Sequence, residues 1–184
     1  MTVRVAVVDA NVLYSIELTD LFLTLATHRL VRVHWSDTIL DEVRRNLALR
    51  PDLNEAAIGY RFDRMNLALP DALHGPPPDE LVEAMPVNAK DRHVLALAVQ
   101  VEADCVVTFD LGDFPPALCE PYGVEPLHPD DVLEALAVDE PVRMAAALAE
   151  MAARRRRPPM TPATLLDRLE LTIPKFVTRC RPLV

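Results

Sequence analysis

Cysteine, glycine and long apolar runs are all scarce in this chain, and each scarcity removes a class of protein. The three cysteines, Cys105, Cys119 and Cys180, are odd in number and show no CxxC spacing. A disulfide framework and a structural zinc site are therefore not expected, and a reducing, cytoplasmic compartment suits the chain best. Four glycines in 184 residues argue against a flexible or fibrous protein. No apolar run approaches the roughly 20 residues of a membrane span. The first residues read as a strand rather than a charged region followed by a long apolar one, so neither a membrane partner nor a signal peptide is expected. What is present is 51% hydrophobic residues, enough for one sizeable core with an appendage, and seventeen prolines that punctuate its elements.

Charge is unevenly spread. Residues 1–140 hold 25 acidic and 10 basic side chains, whereas residues 141–184 hold 3 acidic and 9 basic, balances of −15 and +6 that make up the total of −9. An acidic main body is a poor electrostatic match for phosphate. If that body binds nucleic acid, metal ions and local basic patches must overcome the repulsion.

The stretch VRVAVVDANVL organises the rest. The apolar run Val5 to Val8 predicts a buried parallel strand, and Asp9 ends it at the edge where open α/β sheets place their ligands. A carboxylate beside a buried strand is costly unless something positive pairs with it, and a metal ion is a ready partner. Helical spacing follows over Leu13 to His28, with a break expected near Thr19. A short strand spans Val31 to Trp35. Ser36 then reads as an N-cap for a helix from Asp37 to Leu49, stopped by Pro51. Asn54 to Leu69 is amphipathic, Leu73 to Asp79 with its GPPPD reads as a loop, and Glu80 to Met85 as a helical turn. Ala89 to Ala103 is the longest helical pattern. Cys105 to Phe109 is a second apolar strand, again followed by an acid, Asp110. A short strand near Val124 and a helix opened by Pro129, Asp130 and Asp131 complete a first domain, residues 1–137.

This order predicts a three-layer α/β domain with a mostly parallel central sheet. Residues 138–184 form a helical, basic extension. It holds an alanine-rich helix to about residue 153, the run Arg154 to Arg157, a helix begun by Thr161-Pro162, and an apolar, basic tail.

Carboxylates recur at the predicted sheet edge: Asp9, Glu42 in the helix after Ser36, Asp91 opening the Ala89 helix, and Asp110 and Asp113 after the second apolar strand. Glu42 borders the apolar stripe of its helix and reaches inward, whereas Asp41 falls on the polar face. Hard oxygen donors of this kind suit Mg²⁺ or Mn²⁺, ions able to orient and activate a water against a phosphodiester. Taken singly, each acid has a plainer reading as a cap, a dipole partner or a turn former. Joint placement is what favours a metal site.

The blocks VVDANVL, ILDEVRRNL and NAKDRHVLALAVQVEADCVVTFDLGDFP resemble the three blocks of the PIN-domain family over roughly residues 1–130, and within it the VapC-type toxins of toxin–antitoxin pairs. The ending TPATLLDRLELTIPKFVTRCRPL is similar to a C-terminal extension found on a subset of those toxins. The resemblance implies a metal-dependent endoribonuclease in which Asp9, Glu42 and Asp91 match the first three acids. The fourth is either Asp113 or Asp110, Asp113 slightly favoured. Asn11 and Thr108 match small polar positions that bind ligand water or substrate, and Ser36 is a further candidate beside its capping role. The partners so implied are an RNA substrate and an antitoxin that buries a basic side chain among the acids. A homodimer is common in the family. None of the five histidines is expected to be a ligand, His93 being turned away from Asp91 on its helix. Trp35 is expected in the core, and Arg154 to Arg157 either touch RNA or solvate a helix end.

Two other classes compete. One is a catalytically silent PIN-like module for protein binding. The other is a receiver-type protein with Asp9 as phosphoacceptor. The second is disfavoured by Asn11, which stands where a second acid is needed, and by the scarcity of lysine, Lys90 and Lys175 being the only two.

Overall fold

The computed structural model describes residues 4–155 and 158–184, so Arg156 and Arg157 lie outside the described residues. Five parallel strands form the sheet: β1 (Val5–Val8), β2 (Arg32–Ser36), β3 (Leu73–His74), β4 (Cys105–Val107) and β5 (Glu125–Leu127), in the order β3-β2-β1-β4-β5. β1 and β4 are buried throughout, as their unbroken apolar sequences require. Their register pairs Val7 with Val106 and Val8 with Val107, so the two chains leave the sheet side by side. The connections run from β1 to one side and return to β4 on the other. The crevice beyond β1 and β4 is thus a topological switch point.

Helices cover both faces, giving the expected three layers. In chain order they are α1 (Ala10–Leu13), α2 (Ile16–Thr27), α3 (Asp37–Leu47), α4 (Glu55–Ala68), α5 (Asp79–Ala84), α6 (Arg92–Gln100), α7 (Pro116–Cys119), α8 (Pro129–Asp139), α9 (Pro141–Arg154), α10 (Pro162–Leu169) and α11 (Pro174–Cys180). α2 and α3 pack on β2, and α6 packs on β1 and β4. α3 buries Ile39, Leu40, Val43 and Leu47, the stripe read from its spacing. Trp35 is buried, as expected. The shortage of glycine leaves a trace: α2 and α6 end on non-glycine residues in the left-handed region, Arg29 at φ 58° and Glu102 at φ 53°. There the Leu30 and Ala103 N–H groups close on the Leu25 and Ala98 carbonyls at 2.9 and 2.8 Å.

Two local expectations differ from the structure, and the tail takes a definite form. The break in the first helical stretch falls at Tyr14-Ser15, where the Ser15 hydroxyl accepts from Leu18 N–H at 3.3 Å, and not near Thr19. Thr19 is buried, its hydroxyl donating to the Leu13 carbonyl at 3.0 Å. Leu73 and His74, read as loop, pair with Trp35 and Ser36 because β2 offers them a free edge. The tail forms α11, begun by Pro174 at its first position.

The C-terminal helices close around Leu165, Leu166, Ile173 and Phe176, all buried. Asp130 ties them together. Its Oδ2 accepts from Lys175 N–H at 3.1 Å and its Oδ1 from Phe176 N–H at 2.9 Å, capping α11 from α8. The side chain read as opening its own helix therefore caps a distant one, and the His128 ring caps α8 instead. Arg154 and Arg155 are partly exposed and held in ion pairs. Both bond Asp20 on α2 at 3.1 Å, pinning the end of α9 to the first domain, because α9 packs along α2 and brings that carboxylate within reach.

Candidate active site

The site grows from the first residues beyond β1 and β4. The Asp9 N–H donates to the Val107 carbonyl at 3.0 Å, extending the ladder by one residue and fixing where the carboxylate points. Asp9 is 8% exposed. Its Oδ1 accepts from Ala10 N–H at 2.6 Å and its Oδ2 from the Thr108 hydroxyl at 2.8 Å. The Thr108 oxygen in turn accepts from Asn11 Nδ2 at 2.9 Å and from Asp110 N–H at 3.1 Å, which uses its full donor and acceptor capacity. Asn11 also accepts from Phe109 N–H and donates to Asp110 Oδ2, both at 3.2 Å. Asn11 and Thr108 thus lock the loop after β4 onto the turn after β1.

Two helices bring the other acids. Glu42 comes from α3, whose N-cap is Ser36, buried and accepting from Ile39 N–H at 3.3 Å. Asp91 stands at the N-cap position of α6 yet makes no capping bond. Its side chain is not used by the helix, and its Oδ2 is buried with no hydrogen-bond partner. Asp113 lies beyond, accepting from Lys90 Nζ at 2.8 Å and from Asn88 Nδ2 at 3.2 Å. The two candidates for a fourth acid are therefore engaged differently: Asp110 by Asn11 on the Asp9 side, Asp113 by Lys90 on the Asp91 side.

His93 belongs to this group and was missed in the sequence. It is buried, and its Nε2 lies 3.4 Å from Glu42 Oε1 without the alignment of a hydrogen bond. Helical spacing counted from Asp91 turned it away, but Asp91 is the cap, with φ −105° and ψ −6°, and not part of the regular turn. A histidine in the first turn after a capping acid, within an otherwise apolar helix, was the available signal.

The carboxylates act on one another. Burial pushes the Asp9 carboxyl above its ordinary value of 3.8; the Thr108 and Ala10 hydrogen bonds pull it back, and the Glu42 charge raises it further. Burial also raises Asp91, Lys90 opposes this, and the charges of Asp113 and Asp9 add to it. Asp113 is held below its ordinary value, chiefly by the Lys90 hydrogen bond. Among the described residues no group of three or more His, Cys, Asp and Glu side chains is placed where it could hold a metal ion. The donor set nevertheless fits a hard divalent cation. It is all carboxylate oxygen, one atom of Asp91 is bare, and burial together with neighbouring charge disfavours the ionised forms that a cation would restore.

A parallel sheet whose switch point carries a buried carboxylate, with further acids on two flanking helices and the loop after β4, defines an α/β protein with carboxylates gathered at one sheet edge. Comparison with known sequences narrows the class. Residues 5–112 match the profile of the PIN domain, and residues 128–182 match that of the VapC50 C-terminal domain. The chain belongs to the PIN-domain family. It is 41% identical over 106 residues to "Putative ribonuclease VapC50" of Mycobacterium tuberculosis (strain ATCC 25618 / H37Rv). That alignment spans 57% of this chain and 62% of the relative. No solved structure matches the chain.

Proposed function

We propose that this chain is a divalent-metal-dependent endoribonuclease acting as the toxin of a toxin–antitoxin pair. The observation that carries the reading is Asp9. It is a buried carboxylate, raised by burial and by Glu42, at the switch point of a parallel sheet. It caps α1 and accepts from Thr108, but these two bonds do not neutralise its charge, and a cation would. The same site in a PIN-family chain, 41% identical over the aligned stretch to a protein named as a ribonuclease, favours RNA as substrate.

In this reading Asp9, Glu42, Asp91 and one of Asp113 and Asp110 hold Mg²⁺ or Mn²⁺. When bound, the ion supplies Lewis-acid chemistry, activating a water and neutralising the charge that develops on the phosphate. Thr108 holds the Asp9 carboxylate by its Oδ2 and the Ala10 N–H holds it by its Oδ1, which fixes its orientation. Asn11 keeps the Asp110 loop in register with Asp9. His93, on α6, stands 3.4 Å from Glu42, close enough to offset its charge when protonated. An antitoxin that placed a cationic side chain among these acids would satisfy the same charge and silence the site. Residues 1–137 form the nuclease body and residues 138–184 its extension. A cytoplasmic site of action and a homodimer complete the proposal.

The test is cleavage of defined structured RNAs by the purified chain. Cleavage is expected with Mg²⁺ or Mn²⁺, and its loss, by at least about a hundredfold, is expected with EDTA or in folded Asp9→Asn. Full activity in chelator overturns the metal mechanism. No cleavage at any metal concentration returns the chain to the silent binding module.

A further inference from the structure

Lys90 is the one lysine of the acidic body, against nine arginines in residues 1–140, and it stands in the acid pocket. Its Nζ lies 2.8 Å from Asp113 Oδ2 and 3.7 Å from Asp91 Oδ2, the latter oxygen having no hydrogen-bond partner. One ammonium therefore bonds Asp113 and lies within ion-pair distance of Asp91, between carboxylates from different elements. The side chain is 68% exposed, so its hold on Asp113 is weak in water and the flexible stem is free to swing. An arginine there would engage a carboxylate with two parallel bonds and resist displacement, whereas an ammonium is a compact point charge that yields more readily. The adjacent Arg92 does not share the task, since its Nε donates to the Val87 carbonyl at 3.2 Å. Around the pocket, RNA meets mostly carboxylates, so a cation that can leave them for a phosphate has a use.

We infer that Lys90 is a positioning residue: its ammonium occupies the Asp91–Asp113 side of the pocket until a divalent ion displaces it, and then moves to a phosphate oxygen of the RNA. This rests on the nuclease reading above and adds the residue that links metal entry to substrate binding.

Two measurements on the full chain test it, with Lys90→Met and Lys90→Arg checked for folding by circular dichroism. Calorimetric titration with Mn²⁺, without RNA, is expected to show about three- to tenfold tighter binding in Lys90→Met, because a like charge beside the ion is gone. Cleavage of the RNA that the wild-type protein cuts is expected to fall about tenfold in kcat/KM, mostly through KM. Lys90→Arg is expected to restore less than a quarter of that activity and to bind Mn²⁺ more weakly than the wild type, because the guanidinium resists displacement. Mn²⁺ affinity within twofold of wild type overturns the displacement. Tighter Mn²⁺ binding with unchanged KM overturns the move to phosphate. If the wild-type chain neither binds Mn²⁺ nor cuts RNA, the nuclease reading itself fails and takes this inference with it, a result distinct from failure of the variant alone.

Discussion

Two aspartates are buried to nearly the same extent, Asp9 at 8% exposed and Asp130 at 4%, and they do opposite things. Asp130 faces the start of α11, where two main-chain N–H groups would otherwise lack partners, and it accepts from both. Asp9 also accepts two hydrogen bonds, but it faces Glu42 and Asp91, and its carboxyl is pushed up. Burial of a carboxylate stabilises when the surroundings complete its bonds, and destabilises when they add more negative charge. The C-terminal helices use an acid for folding. The sheet edge keeps its acids short of partners, which is the condition for binding a cation.

Two substitutions separate these aspartates most widely. Asp130→Ala leaves the first N–H groups of α11 unpartnered and is expected to cost about 2–4 kcal/mol, a fall in Tm of roughly 5–15 °C by thermal unfolding. Asp9→Asn is expected to raise Tm by a few degrees without metal. The amide keeps the shape and one of the two accepted hydrogen bonds, and loses the other, while removing the charge. A fall in Tm for Asp9→Asn would mean that the site is not under electrostatic strain.

The pH dependence sharpens it further. Asp9 and Asp91 keep their protons to higher pH in the folded chain than in the unfolded one. Their contribution to stability is therefore greatest in acid and is lost as pH rises from 3.8 through the raised values. Asp113 runs the other way, contributing above its ordinary value and losing that contribution as pH falls, though at an exposed pair the effect is small. Unfolding curves from pH 4 to 7, on the order of that titration range, should be flatter in Asp9→Asn than in the wild type. Added Mn²⁺ should raise wild-type stability most at the neutral end.

The smallest effect lies outside both regions. Glu102→Gly relieves the left-handed turn that ends α6 and is expected to stabilise by about 1 kcal/mol, with activity unchanged.

Much of this architecture was legible in the residues. VAVV and CVV could only be buried strands, and the Ile39, Leu40, Val43 and Leu47 stripe set the face of α3. Asp9 stood out as an acid directly after a strand with no exposed face. Less was legible about the extension, where Asp130 read as serving its own helix. Least legible was His93, because counting along a helix presumes that the capping residue belongs to it.

The chain's own order therefore determined the alternation of strands and helices, the parallel sheet, and the placement of Asp9 and Asp91 at element ends, since these follow from apolar periodicity and caps within a few residues. The tertiary structure decided which groups meet. Thr108 holds Asp9 from 99 residues away, Asp130 caps α11 from 45 and 46, and Lys90 lies between Asp91 and Asp113. Such contacts depend on how whole elements dock, and docking is governed by the fit of buried surfaces contributed by the entire chain.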